Sequence, residues 1–158
     1  MSGLARRTPT VVVSGLASDA HTWNLVFLQL LIEELGHRVA NLGPCVPDAL
    51  LVRECRRLDP AMVVISSVNG HGYQDGRRIA ALLRSCPELA ATPLVIGGKL
   101  GTSGLEDTDQ ARSLLAAGFD AVFEDGAGAV LDFRHFVRSL PSASRQIVPG
   151  LETVEAGV

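Results

Sequence analysis

Two rhythms of apolar and polar positions run along this chain. Residues 10–16, 61–67 and 93–97 are short runs rich in β-branched side chains, the pattern of strands buried on both faces. Residues 37–42 and 119–123 make two shorter strands of the same kind. Between them the apolar positions recur every three to four residues, which predicts helices over 22–35, 47–58, 74–86 and 108–117. A last stripe, Val130, Phe133, Phe136, Val137 and Leu140, predicts one more. Gly36 and Gly118 stand where the first and fourth helices need a left-handed residue to stop. Pro47 opens the second, with Asp48 near its positive end. In the third, Ile79, Leu82 and Leu83 are expected to face inward. The first helix is apolar almost all round (Trp23, Leu25, Val26, Phe27, Leu28, Leu30, Leu31, Ile32). Such a helix is buried on two sides or shows one face to a partner, and core is the expected use.

Strict alternation of strand and helix implies an α/β fold, a doubly wound parallel sheet with helices on both faces. Right-handed crossovers leave few arrangements, and the commonest for five units is the flavodoxin-like (Rossmann-like) order 2-1-3-4-5. No internal repeat or linker interrupts residues 1–140, which read as one domain. Residues 141–158 turn small, polar and acidic, and are expected to form a loosely ordered C-terminal tail.

Composition narrows the function. At 158 residues and 47% hydrophobic, the chain can bury a core and is not disordered over most of its length. No apolar run approaches the roughly 18 residues of a membrane span, and no signal-type segment follows Arg6 and Arg7, so a cytoplasmic protein is expected. Fourteen basic against 17 acidic residues, net −3, leave no electrostatic footprint for nucleic acid. Cys45, Cys55 and Cys86 lack Cys-x-x-Cys spacing, which argues against a disulfide framework or a four-cysteine zinc site and for inert or buried thiols.

In a sheet of this order the ligand crevice opens at the carboxyl ends of the strands, between strands one and three. The loops there are residues 18–22 (Ser18, Asp19, Ala20, His21, Thr22) and 66–70, which begins Ser66, Ser67, Val68. Beside them lies 97–101, beginning Gly97, Gly98, Lys99, Leu100, with the only lysine of the chain. Gly-x-Gly-x-x-Gly, Gly-Lys-Ser/Thr and Gly-x-Ser-x-Gly are all absent. Ser66 and Ser67 replace the acidic residue that a phosphoacceptor receiver needs at the end of strand three. What remains is Asp19-x-His21, in which the carboxylate can hold one imidazole nitrogen while the other points into the crevice. His37, His71 and His135 have no ligand spacing to it and read as surface residues. A single imidazole suffices only for a metal already held by a macrocycle.

At that point the chain resembles cobalamin-binding domains, most closely the small (sigma, S) subunits of glutamate mutase, also called methylaspartate mutase. The family pattern is Asp-x-His-x-x-Gly after strand one, Ser-x-Leu after strand three and Gly-Gly after strand four. Here these stand as residues 19–24, Ser66-Ser67-Val68 and Gly97-Gly98, with Asn24 in place of the glycine. Ser18, the turn at Asn41 and Gly43, the loop carrying Gly70 and Gly72, and residues 123–126 match as well, so the likeness runs from Thr10 to Leu140.

The resemblance implies that His21 is the axial cobalt ligand, with Asp19 on its other nitrogen. It implies Ser66 against the cofactor's displaced nucleotide tail, Gly97 and Gly98 letting backbone approach that tail, and Lys99 and Leu100 lining the same slot. It implies adenosylcobalamin as cofactor and an isomerase subunit, inactive alone. Completed by a barrel-type catalytic subunit in a heterotetramer, it would interconvert L-glutamate and L-threo-3-methylaspartate by a radical rearrangement begun by cobalt–carbon homolysis. A cobalamin subunit of an acyl-CoA mutase, a non-catalytic carrier or sensor, and a module that has lost the cofactor are the alternatives.

Overall fold

The computed structural model describes residues 10–67, 72–98, 107–124 and 127–140. Val68, Lys99, Leu100, His71 and the tail 141–158 lie outside the described residues. The strands are β1 (Thr10–Gly15), β2 (Arg38–Gly43), β3 (Met62–Ser67), β4 (Leu94–Gly98) and β5 (Ala121–Glu124). The helices are α1 (Trp23–Glu34), α2 (Asp48–Leu58), α3 (Gly72–Arg84), α4 (Asp107–Ala117) and α5 (Ala127–Ser139). All five strands run parallel in the order β2-β1-β3-β4-β5, as the alternation predicts. The flavodoxin-like sheet is therefore what the chain builds.

Period-two side-chain alternation divides the core into a layer on each face of the sheet. Val11, Val13, Met62, Val64 and Val95 pack with Leu25, Leu31 and Ile32 of α1 and Phe133 and Val137 of α5. Val12, Val63, Ile65, Leu94 and Ile96 pack with Leu51 and Cys55 of α2, Ile79 and Leu83 of α3 and Leu114 of α4. Leu82 is exposed, against expectation, while Ile79, Ala80 and Leu83 of the same helix are buried in the core. Element ends also move by a residue or two. Pro47 is the N-cap of α2 rather than its first residue, and α3 begins at Gly72, before the expected Gln74.

The larger correction concerns α1. Leu25 and Ile32 are buried, but Trp23 is 81% exposed and Leu30 61%, with Val26 and Phe27 beside them. The sheet covers one side of this helix and nothing among the described residues covers the other. The apolar surplus is thus an open surface rather than a second core face.

The end of α1 corrects the reading of His37 as a surface residue. Gly36, at φ +97°, lets its N–H reach Glu33 O (3.0 Å) while the His37 N–H reaches Ile32 O (3.3 Å), a Schellman closure. That turn folds His37 back under the helix, where it is 8% exposed, and burial lowers its imidazole pKa. A base with a lowered folded pKa binds fewer protons folded than unfolded. Its contribution is therefore fully present above the ordinary value of about 6.5 and is lost as pH falls below it. Urea denaturation between pH 8 and 5 should show stability falling below that point, and a His37→Gln variant should show a flatter profile. An unchanged profile would mean that carboxylates govern the slope.

The remaining thiols differ from one another. Cys55 is buried in α2, and desolvation, helped by the neighbouring Glu54 and Cys86, pushes its thiol up to about 12. Cys45 is exposed and Cys86 only partly covered, so of the three expected buried or inert thiols Cys55 is the buried one.

Candidate functional site

The carboxyl ends of β1, β3 and β4 lie side by side, since Gly15 pairs with Ser66 and Ser66 with Gly97. The loop leaving β1 is tied down by its backbone. The Asp19 N–H donates to Leu16 O (3.0 Å), and the Cys45 N–H beyond β2 donates to Asp19 O (2.8 Å). A shift in the β1–β2 register between Val13 and Ser14 helps bring that second loop across. Asn41 Oδ1 closes the turn there, accepting the Gly43 N–H at 2.9 Å with Gly43 at φ +93°. Asp19 is thereby held 1% exposed.

Its carboxylate takes two hydrogen bonds from one residue. Oδ1 accepts the His21 backbone N–H at 3.0 Å and lies 2.7 Å from His21 Nδ1. The imidazole itself is 57% exposed. A ring that donates Nδ1–H to the buried Asp19 carboxylate presents the Nε2 lone pair to a Lewis acid. Thr22, the N-cap of α1, makes no side-chain cap bond. Among the described residues no group of three or more His, Cys, Asp or Glu could hold a bare metal ion. One nitrogen donor suits a metal whose other positions are already filled.

Beside this loop a cleft of about 220 Å³ runs between the sheet and helices α1 and α5. Ser66, Gly97 and Gly98 border it, as expected, together with Asn24, Phe27, Phe123 and Phe133. Phe133 and Phe136 pack edge-on against Phe123, at 5.5 and 6.0 Å between centroids. The apolar wall was missed in the sequence, although the unspent hydrophobicity of α1 was its signal. Asn24 Nδ2 donates to Ser66 Oγ, while Asn24 Oδ1 is buried without a hydrogen-bond partner.

Other residues of the expected set sit differently. Ser18 Oγ donates to the Asp75 carboxylate, which also takes Arg78 Nη1 at 2.9 Å, while Arg78 Nε bonds Asp48 at 2.5 Å. This chain of polar contacts fastens the β1–α1 loop to α3 and α2. Ser67 is fully buried, and Ala20 and Thr22 are exposed. Gly98, at φ +106°, has no room for a side chain because an added Cβ would lie 2.1 Å from Ser67 O. At Gly97 it would lie 3.2 Å from Phe123 O. The neighbouring backbone therefore calls for a glycine at 98 and leaves little room at 97, a constraint that acts alongside any ligand approach.

Residues 9–134 match the B12 binding domain family. The glutamate mutase sigma subunit of Halobacterium salinarum is 31% identical over 126 residues, which cover 78% of this chain and 83% of that protein. A cobalamin-binding protein from Desulfitobacterium hafniense superposes with a TM-score of 0.66 at 17% identity, over 84% of this chain and 58% of its own. A signal receiver domain from Syntrophus aciditrophicus superposes at 0.60 and 15% identity, over 94% and 96%. The shared fold alone does not choose between these last two. The residues at the strand ends do, because Ser66 and Ser67 stand where a receiver needs its acid.

Proposed function

The chain belongs to the B12-binding domain family, and on that premise we propose that it is the cobalamin-carrying subunit of an adenosylcobalamin-dependent carbon-skeleton mutase, glutamate mutase first among them. The observation that carries the reading is the pair Asp19–His21: a buried carboxylate 2.7 Å from Nδ1 of an exposed imidazole, at the sheet edge where a cleft opens. The identity to glutamate mutase sigma subunits supports the choice of reaction.

In this reading His21 offers Nε2 to cobalt, and Asp19 holds the ring in one orientation and tautomer and raises its basicity. Ser66, Gly97 and Gly98, which border the cleft, would meet the nucleotide tail, and Val68, Lys99 and Leu100 are cofactor-binding residues by the resemblance. Ser18 and Ser67 act through the backbone they fix, and Ala20 and Thr22 set the approach of His21. When bound, the adenosylated cofactor supplies a carbon-centred radical for the rearrangement. The substrate pocket belongs to a separate barrel-type subunit, so this chain is inactive alone.

The test combines this chain, adenosylcobalamin and a glutamate mutase large subunit, and measures conversion of L-glutamate to 3-methylaspartate. Turnover that requires all three is the expected result. Cobalamin binding without turnover would move the assignment to another mutase or to a carrier. Absence of cobalamin binding would overturn it.

A further inference from the structure

The slot is spanned by side chains of the chain itself. Asn24 in the first turn of α1 reaches across to β3 and donates Nδ2 to Ser66 Oγ, and both residues line the cleft. The space that remains, about 220 Å³, falls below the range of roughly 300–1,000 Å³ that small-molecule sites occupy. A group inserted between α1 and β3 must therefore move the Asn24 side chain and break its bond to Ser66. A ligand held only outside, at His21, need not.

We propose that Asn24 is a specificity-determining latch on this slot, which penalises corrinoids carrying a nucleotide tail and leaves tail-less corrinoids unaffected. The proposal rests on the cobalamin reading of His21 and the slot. The penalty comes from two sources, the Asn24–Ser66 hydrogen bond and the volume of the amide, and a glycine at position 24 removes both. Loss of one hydrogen bond of ordinary strength corresponds to about a tenfold change in affinity.

The experiment titrates the wild-type chain and the Asn24→Gly and Asn24→Leu variants with aquocobalamin and, separately, with cobinamide, which lacks the nucleotide. Visible absorbance follows binding, and thermal melts check that each variant is folded. Asn24→Gly should tighten aquocobalamin about tenfold and speed its uptake, with the cobinamide affinity unchanged. Asn24→Leu, which keeps the volume and loses the bond, should stay well short of the glycine variant for aquocobalamin and equal wild type for cobinamide. Parallel shifts for both corrinoids, or no shift for either, would overturn the latch while leaving the cobalamin reading intact. Failure of every protein to bind either corrinoid would overturn the cobalamin reading, and the latch with it.

Discussion

Replacing His21 with alanine should abolish the protein-nitrogen splitting in the EPR spectrum of cob(II)alamin bound to this chain and weaken binding by more than about 100-fold. Asp19 and His21 act as one unit, because the same carboxylate oxygen meets the ring nitrogen at 2.7 Å and the backbone N–H at 3.0 Å. The alanine variant keeps the backbone bond and the buried carboxylate, so the loop should hold its course while the metal donor is gone. Asp19→Asn removes the charge that makes the imidazole a stronger donor, and should cost about 10- to 100-fold with the splitting retained but altered. Splitting that survives His21→Ala would assign the cobalt ligand to another nitrogen. Wild-type affinity in Asp19→Asn would reduce Asp19 to a loop anchor.

Gly98→Ala should destabilise the fold by about 3 kcal/mol or more, the largest effect expected of a single added methyl group at any glycine among the described residues. Two costs add. The residue sits at φ +106°, and its new Cβ would lie 2.1 Å from Ser67 O and 3.0 Å from Ser67 C. Backbone cannot rotate aside as the end of a side chain can, so β4 must pull away from β3 at the edge where the site is built. Gly97→Ala is the control. Its nearest contact would be 3.2 Å from Phe123 O, at ordinary φ, which should cost about 1 kcal/mol. Urea titrations of both variants decide the matter, and equal small losses would mean that the strand end yields easily.

The fold was legible in the chain because its signals are local and periodic. β-branched runs, three-four spacing and the stop glycines Gly36 and Gly118 each act over a few residues, and right-handed crossovers then leave little choice of sheet order. The Asp19–His21 pair was legible for the same reason, since two residues of separation in a loop keep carboxylate and ring within reach. What lay beyond the sequence involves partners far apart in the chain. Asn24 meets Ser66 across 42 positions, Gly98 is forced by a carbonyl on β3, and the apolar wall of the cleft is assembled from α1, β5 and α5. His37 reads as polar and exposed until the Schellman turn folds it under α1. Trp23 and Leu30 read as core until the sheet is seen to cover only one side of their helix. Sequence by itself determined the elements, their order and the Asp19–His21 pair, because short-range sterics and side-chain period act within one segment. Tertiary structure alone decided which faces are covered and which side chains span the slot, because burial depends on what the rest of the chain brings alongside.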